Sequence, residues 1–137
     1  AALVIIVFAS FWQVFVQVIY GVADVDAVAR DTARSFGLPR RAQLLHLVLP
    51  TALPYLMTGL RLAAAVALIL AITAEMVIGN PGLGRMIELS RSAGDAVGLY
   101  ALVVVTGLLG LIVNIVFRFI ERRSLSWHQS VRGEEPL

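Results

Sequence analysis

The sequence contains no cysteine and no lysine, and only 15% of its 137 residues are charged. Without cysteine there is no disulfide, zinc–thiolate centre or iron–sulfur cluster, although this says little about compartment. The lack of lysine puts all 11 basic charges on arginine, which reads as a compositional bias rather than chemistry. The shortage of charge decides more. Soluble domains carry about a quarter charged and about 45–50% apolar residues, whereas this chain is 59% hydrophobic with a mean hydropathy of +0.87. A water-soluble globule and a disordered chain are both excluded, and the length allows one domain at most. The net charge is +2 and the pI about 9.7. Arginines so diluted by apolar sequence make a poor phosphate-binding surface, so nucleic acid is not an expected partner. The chain opens at Ala1 inside an apolar run, without the basic start of a signal peptide. The expectation is that the N-terminal part of a longer protein precedes it.

Catalytic constellations are also missing. His46 and His128 stand far apart without ligand-spaced companions, so no metal site is expected. No Ser–His–Asp set or carboxylate pair can be assembled. The glycine cluster from Gly79 to Gly84 lacks the Lys and hydroxyl residue of a nucleotide-binding phosphate loop. The expectation is a chain that is not an enzyme and binds no cofactor itself.

What the sequence has in abundance is long apolar runs, at 3–20, 58–79 and 99–117. A helix needs about 20 apolar residues to cross about 30 Å of hydrocarbon and satisfies its own backbone there. The expected fold is therefore an all-α polytopic membrane protein. Its spans are 1–20, 54–79 and 99–120, with a loop at 21–53, a connection at 80–98 and a tail at 121–137. Arg30, Arg34, Arg40 and Arg41 lie in the first loop, and Arg118, Arg122, Arg123 and Arg132 at or after the end of the third run. Only Arg85 and Arg91 lie in the other connection, offset by Glu88 and Asp95. The positive-inside rule puts the first loop and the C-terminus in the cytoplasm. Tyr20, Tyr55, Tyr100 and Trp127 fall near span ends, where amphipathic rings prefer to sit.

The first loop is patterned. Asp24 and Asp26 supply negative charge at the N-terminus of an amphipathic helix expected over 25–36, and Gly37 ends it because it tolerates positive φ. Pro39 opens a second short helix over 40–49, which Pro50 is expected to stop. Such a hairpin can rest on lipid headgroups or dock a cytoplasmic partner; pattern alone leaves both open.

The order Asp31-Thr32-Ala33, three residues, Gly37, nine residues, Leu47-Val48-Leu49-Pro50 resembles the EAA signature of bacterial ABC-importer permeases. Asp31 stands for its Glu, Thr32 for its first Ala and Leu47 for its Ile, while Ala33, Gly37, Leu49 and Pro50 match outright. Ala74-Glu75-Met76, Gly82-Leu83-Gly84, Gly107-Leu108-Leu109-Gly110 and Glu121-Arg122-Arg123, with Leu125 and Trp127, are similar to the sulfonate, taurine and nitrate branch. The resemblance implies a subunit of about six spans in the bacterial inner membrane, paired with a second copy. It implies a cytoplasmic ABC ATPase that uses the ATP, and a periplasmic or lipid-anchored solute-binding protein. It gives Gly37 the turn that fits the ATPase cleft, Phe36 and Leu38 the apolar plug, and Asp31 polar contacts. The competing class is a small membrane scaffold whose hairpin binds lipid or an unrelated partner.

Polar residues within the spans complete the candidates. Gln13 and Gln17 share a helix face and either line a solute path or hydrogen-bond a neighbouring helix. Glu75, an ionisable residue within a span, is a candidate for the path or gate, or for a structural pairing with Arg85 or Arg91. Arg61 is expected to snorkel to headgroups and Asn114 to bond between helices, while Thr106 and Gly110 permit close approach.

Overall fold

The structure, a computed structural model, describes residues 2–125. It is helical throughout, with no strand among the described residues. Helix α1 runs Ala2–Ala23, α2 Ala27–Ser35, α3 Arg40–Ile78, α4 Leu83–Ser92 and α5 Ala96–Ser124. Three of them, α1, α3 and α5, are long and apolar enough to cross a membrane. Trp127, His128 and Arg132 lie outside the described residues.

The expected break at Pro50 is absent. Helix α3 passes through it as an α-turn at Arg40–Gln43, a π-turn at Leu44–Val48 and an α-helical stretch at Leu49–Ile78. A proline in a helix offers no N–H, and its ring crowds the carbonyl four residues back. The wider π-turn, closed by the Leu49 N–H on the Leu44 carbonyl, accommodates that crowding without ending the helix. Pro54, one turn further on, is also carried inside the helix.

Helices α1 and α3 are antiparallel and make the most extensive packing in the molecule. Small residues let them close. A Cβ on Gly59 would lie 3.0 Å from the Gln17 Cβ and 3.2 Å from the Val14 Cα. One on Gly21 would lie 2.9 Å from the Tyr55 Cβ and 3.0 Å from the Ala52 Cα. Ser10 Oγ donates to the Ala63 carbonyl at 3.4 Å, and Ala52, Gly59 and Ala63 are buried along this seam. Between apolar helices in lipid, such close backbone approach supplies the packing that hydrophobicity cannot. Tyr55 Oη closes the loop end by donating to Asp24 Oδ2 at 2.9 Å.

The α3–α5 contact is smaller and also antiparallel. Leu68 meets the Gly110 position, its Cδ2 3.7 Å from where a Cβ would stand. Thr106 bonds only its own helix, to the Leu102 carbonyl at 2.9 Å. Arg61, expected to snorkel to headgroups, lies with its Nη1 3.5 Å from Glu121 Oε2, an ion pair that joins the two helices. A cleft of about 250 Å³ beside this pair is lined by Arg61, Leu62, Leu68, Gly110 and Asn114 among others. Asn114 makes no hydrogen bond among the described residues, contrary to the expected interhelical bond.

At the other end, α3 stops at Gly79 in a left-handed conformation, φ +81°, and the chain turns into α4. Helix α4 ends at Gly94, φ +70°, with the Asp95 N–H on the Ser90 carbonyl and the Gly94 N–H on the Arg91 carbonyl. This double closure satisfies carbonyls that a helix end leaves bare. Asp95 then caps α5 by accepting from the Gly98 N–H at 3.0 Å.

Replacing Gly59 by Leu overfills the α1–α3 seam and costs about 1–3 kcal/mol, with Gly59→Ala less severe; reversible unfolding of the protein in mixed micelles measures both. A double-mutant cycle of Arg61→Met and Glu121→Gln in the same assay is expected to show a coupling of about 1 kcal/mol.

Candidate functional site: the capped hairpin at the loop end

Two half-turns of sequence logic build the hairpin formed by α2 and the start of α3. Asp26 caps α2 with Oδ1 accepting from the Val28 N–H at 3.0 Å, which relieves an orphan donor at the helix start. The helix is shorter than the 25–36 expected, because Asp26 serves as its cap and Val25 is buried beneath it. At its end Gly37 has φ +68°, the Leu38 N–H bonds the Ala33 carbonyl at 3.1 Å, and the Gly37 N–H bonds that of Arg34 at 2.9 Å. Only a residue tolerant of the left-handed region sits there without strain. Gln43 Nε2 reaches back to the Leu38 carbonyl at 2.8 Å and fixes the turn to α3.

The residues of the signature separate into four positions. Thr32, Ala33, Phe36, Leu38 and Leu47 line one open groove of about 650 Å³ between the two arms of the hairpin. Ala33 is buried at its floor, while Phe36 stands 80% exposed beside the turn. Gly37 forms the tip, and a Cβ placed on it would touch nothing within 4 Å. Asp31 faces outward with its carboxylate 3.9 Å from Arg34 Nη1, both well exposed. Leu49 and Pro50 are not in the groove; they belong to α3 beyond the π-turn. The Thr32 and Ser35 hydroxyls are bound to the Val28 and Asp31 carbonyls of their own helix, so they offer no free donor.

Gln43 and His46 also line the groove; the sequence reading weighed His46 only as a metal ligand and passed over Gln43. His46 Nδ1 lies 3.0 Å from the Ala42 carbonyl. Four-residue spacing to Pro39 and Ala42 was the available signal, but it says nothing of a groove until α2 is folded against α3. Chemically the hairpin offers shape and apolar contact: a projecting phenylalanine, a hollow behind it and arginines around it. No group of three or more His, Asp or Glu that could hold a metal occurs among the described residues.

The candidates in the spans lie elsewhere. Gln17 is pressed against Gly59 in the α1–α3 seam, and Gln13 is half-buried one turn away. Glu75 does not pair with Arg85 or Arg91. Its Oε2 accepts from the Gly84 N–H at 2.9 Å, Arg85 donates to the Gly79 carbonyl at 2.9 Å, and Arg91 pairs with Glu88 at 3.1 Å. The backbone N–H groups at the start of α4 come nearer to Glu75 than either guanidinium does.

The chain is 27% identical over 131 residues to a putative aliphatic sulfonates transport permease protein of Bacillus subtilis, covering 96% of this chain and 48% of the relative. It is 28% identical over 123 residues to a nitrate import permease protein of Leptolyngbya laminosa, covering 90% and 44%. It is 30% identical over 133 residues to the taurine transport system permease protein of Escherichia coli, covering 95% and 47%. The chain thus spans about half the length of the curated relatives it matches. No solved structure gives a significant match. Residues 1–126 match the family described as binding-protein-dependent transport system inner membrane component, and the chain belongs to that family of multi-pass inner-membrane proteins.

Proposed function

We propose that this chain works as permease subunit of an ATP-driven importer for a small anion of the organosulfonate, taurine or nitrate kind. The observation that carries the proposal is the hairpin: a capped α2, a glycine tip with nothing of its own chain around it, and Phe36 exposed beside it. An exposed aromatic on a rigid turn has the form of a docking element. The family match and the names of the relatives supply the class of partner and solute. The partner that receives the tip is then a separate cytoplasmic ATPase, and a solute-binding protein delivers the anion from the other side. A second permease subunit, a copy of the first, completes the passage.

In this reading the loop end faces the cytoplasm with the C-terminus. Arg30, Arg40 and Arg41 have no carboxylate within ion-pair distance among the described residues, so the hairpin is a net positive surface on the side the positive-inside rule assigns. ATP binding and release favour one or the other packing of the spans through the hairpin, and the passage opens alternately to each side. Because α3 begins inside the hairpin and ends beyond the membrane, motion at its first turn is motion of a span. Gln13 and Gln17 make no hydrogen bond among the described residues; their amides are available to the oxygens of an anion or to a neighbouring helix.

Gly37→Asp tests the coupling role. It places a carboxylate where this chain leaves open space; at φ +68° the Asp costs about 1 kcal/mol of backbone strain but leaves insertion intact, whereas a partner closing on the tip must bury an unpaired charge. That costs about 2 kcal/mol or more, and docking is expected to weaken about thirtyfold. Co-purification of the ATPase and ATP-dependent uptake in proteoliposomes are the readouts. Wild-type uptake by Gly37→Asp refutes the assignment, and failure of any ATPase to co-purify with the unmutated full-length permease favours the membrane scaffold instead.

A further inference from the structure

Glu75 lies three residues before the end of α3, in a stretch otherwise apolar, and its carboxylate is engaged at the far side of the molecule from the hairpin. Oε2 accepts from the N–H of Gly84, the second residue of α4, at 2.9 Å. Helix starts expose N–H groups and a positive partial charge, so a carboxylate is well matched there. Two glycines show how closely the chain is drawn around it. A Cβ on Gly82 would collide with both Glu75 carboxylate oxygens, and its backbone is extended, so a side chain there is accommodated only by moving the carboxylate away. A Cβ on Gly84 would collide with the Ile72 carbonyl and lie 2.8 Å from the Glu75 Cβ. Gly84 and Ile87 are the buried positions of α4. Arg85 closes the same turn from outside by donating to the Gly79 carbonyl at 2.9 Å.

We propose that Glu75 is a positioning residue that latches α4 across the end of α3, so that the outer helix moves with the long helix whose other end lies in the hairpin. The bond is made between a side chain of one helix and the backbone of the next, over a turn of four residues, 79–82, that holds three glycine or proline positions. Without it, α4 is held to α3 by the Arg85–Gly79 bond and by the packing of Gly84 and Ile87 alone; with it, the start of α4 is also tied to the last turn of α3, and the displacement of the loop end of α3 is delivered to α4. The relation of α4 to transport rests on the permease reading above, but the latch itself does not.

Two measurements on the full-length permease in lipid nanodiscs separate these claims. Amide deuterium exchange over residues 83–86 is expected to rise about tenfold in Glu75→Leu and to stay close to wild type in Glu75→Gln, whose amide oxygen still accepts from Gly84. Gly82→Ala, which displaces the carboxylate without altering it, is expected to behave like Glu75→Leu and serves if that variant fails to fold. With the ATPase and solute-loaded binding protein added, the ratio of stimulated to basal ATP hydrolysis is expected to fall in Glu75→Leu and to be restored in Glu75→Gln. Unchanged exchange in Glu75→Leu and Gly82→Ala overturns the latch. Raised exchange with an unchanged ratio overturns the positioning role, and equal defects in the Gln and Leu variants show that charge rather than the bond is at work. A wild-type protein without ATP-dependent uptake sinks the permease reading alone, since exchange still decides the latch.

Discussion

A helix of 39 residues extends about 58 Å, and the hydrocarbon of a bilayer occupies only about 30 Å of it. Helix α3 must therefore project well beyond the apolar layer, and the rest of the described chain is arranged along its length. Its first turns form one arm of the hairpin, its middle packs against α1 and α5, and its last turn carries the carboxylate that holds α4. The backbone of a spanning helix is self-satisfied, so side chains need only decide which neighbour approaches and how closely. Gly21, Ala52, Gly59 and Ala63 decide this for α1. The pairing with α5 rests on fewer contacts and on the Arg61–Glu121 ion pair.

This unequal packing gives the molecule a firm pair of helices, α1 with α3, and a looser third. Polar groups lie mainly where chain segments meet at the ends: Tyr55 on Asp24, Gln43 on the Leu38 carbonyl, Glu75 on the Gly84 N–H. Each ties parts of the chain that the apolar seams leave unconstrained. Most of the surface of α5 is apolar and uncovered, as suits a helix surrounded by lipid or by further spans.

How much of this the sequence disclosed depended on the range of the interaction. Three spans, the Gly37 end of α2 and the start at Pro39 all follow from local composition and backbone preference, and the structure has them; the start of α2 falls two residues later than expected because Asp26 is its cap. The outcome at Pro50 did not, because local preference reads proline as a stop while a π-turn one step upstream absorbs its ring. Glu75 stood out as a carboxylate in an apolar run. Its partner was invisible, being a backbone N–H nine residues away and not one of the arginines that charge alone suggested. Likewise Arg61 looked solitary until α5 brought Glu121 beside it. The signature residues were found in order along the chain, but their division between groove, tip and outer face appears only when α2 and α3 lie against each other.

The π-turn at Leu44–Val48 sits within the interval that separates Gly37 from Leu49 and Pro50. One residue of an α-helix corresponds to about 100° of rotation, and a π-turn takes up a residue that a regular helix would have spent on turning. The interval is thus a matter of phase as well as length: it sets the compass bearing of the groove relative to the face that α3 turns toward α1. A chain shortened there by one residue could keep every helix and every cap and still aim its hairpin in another direction.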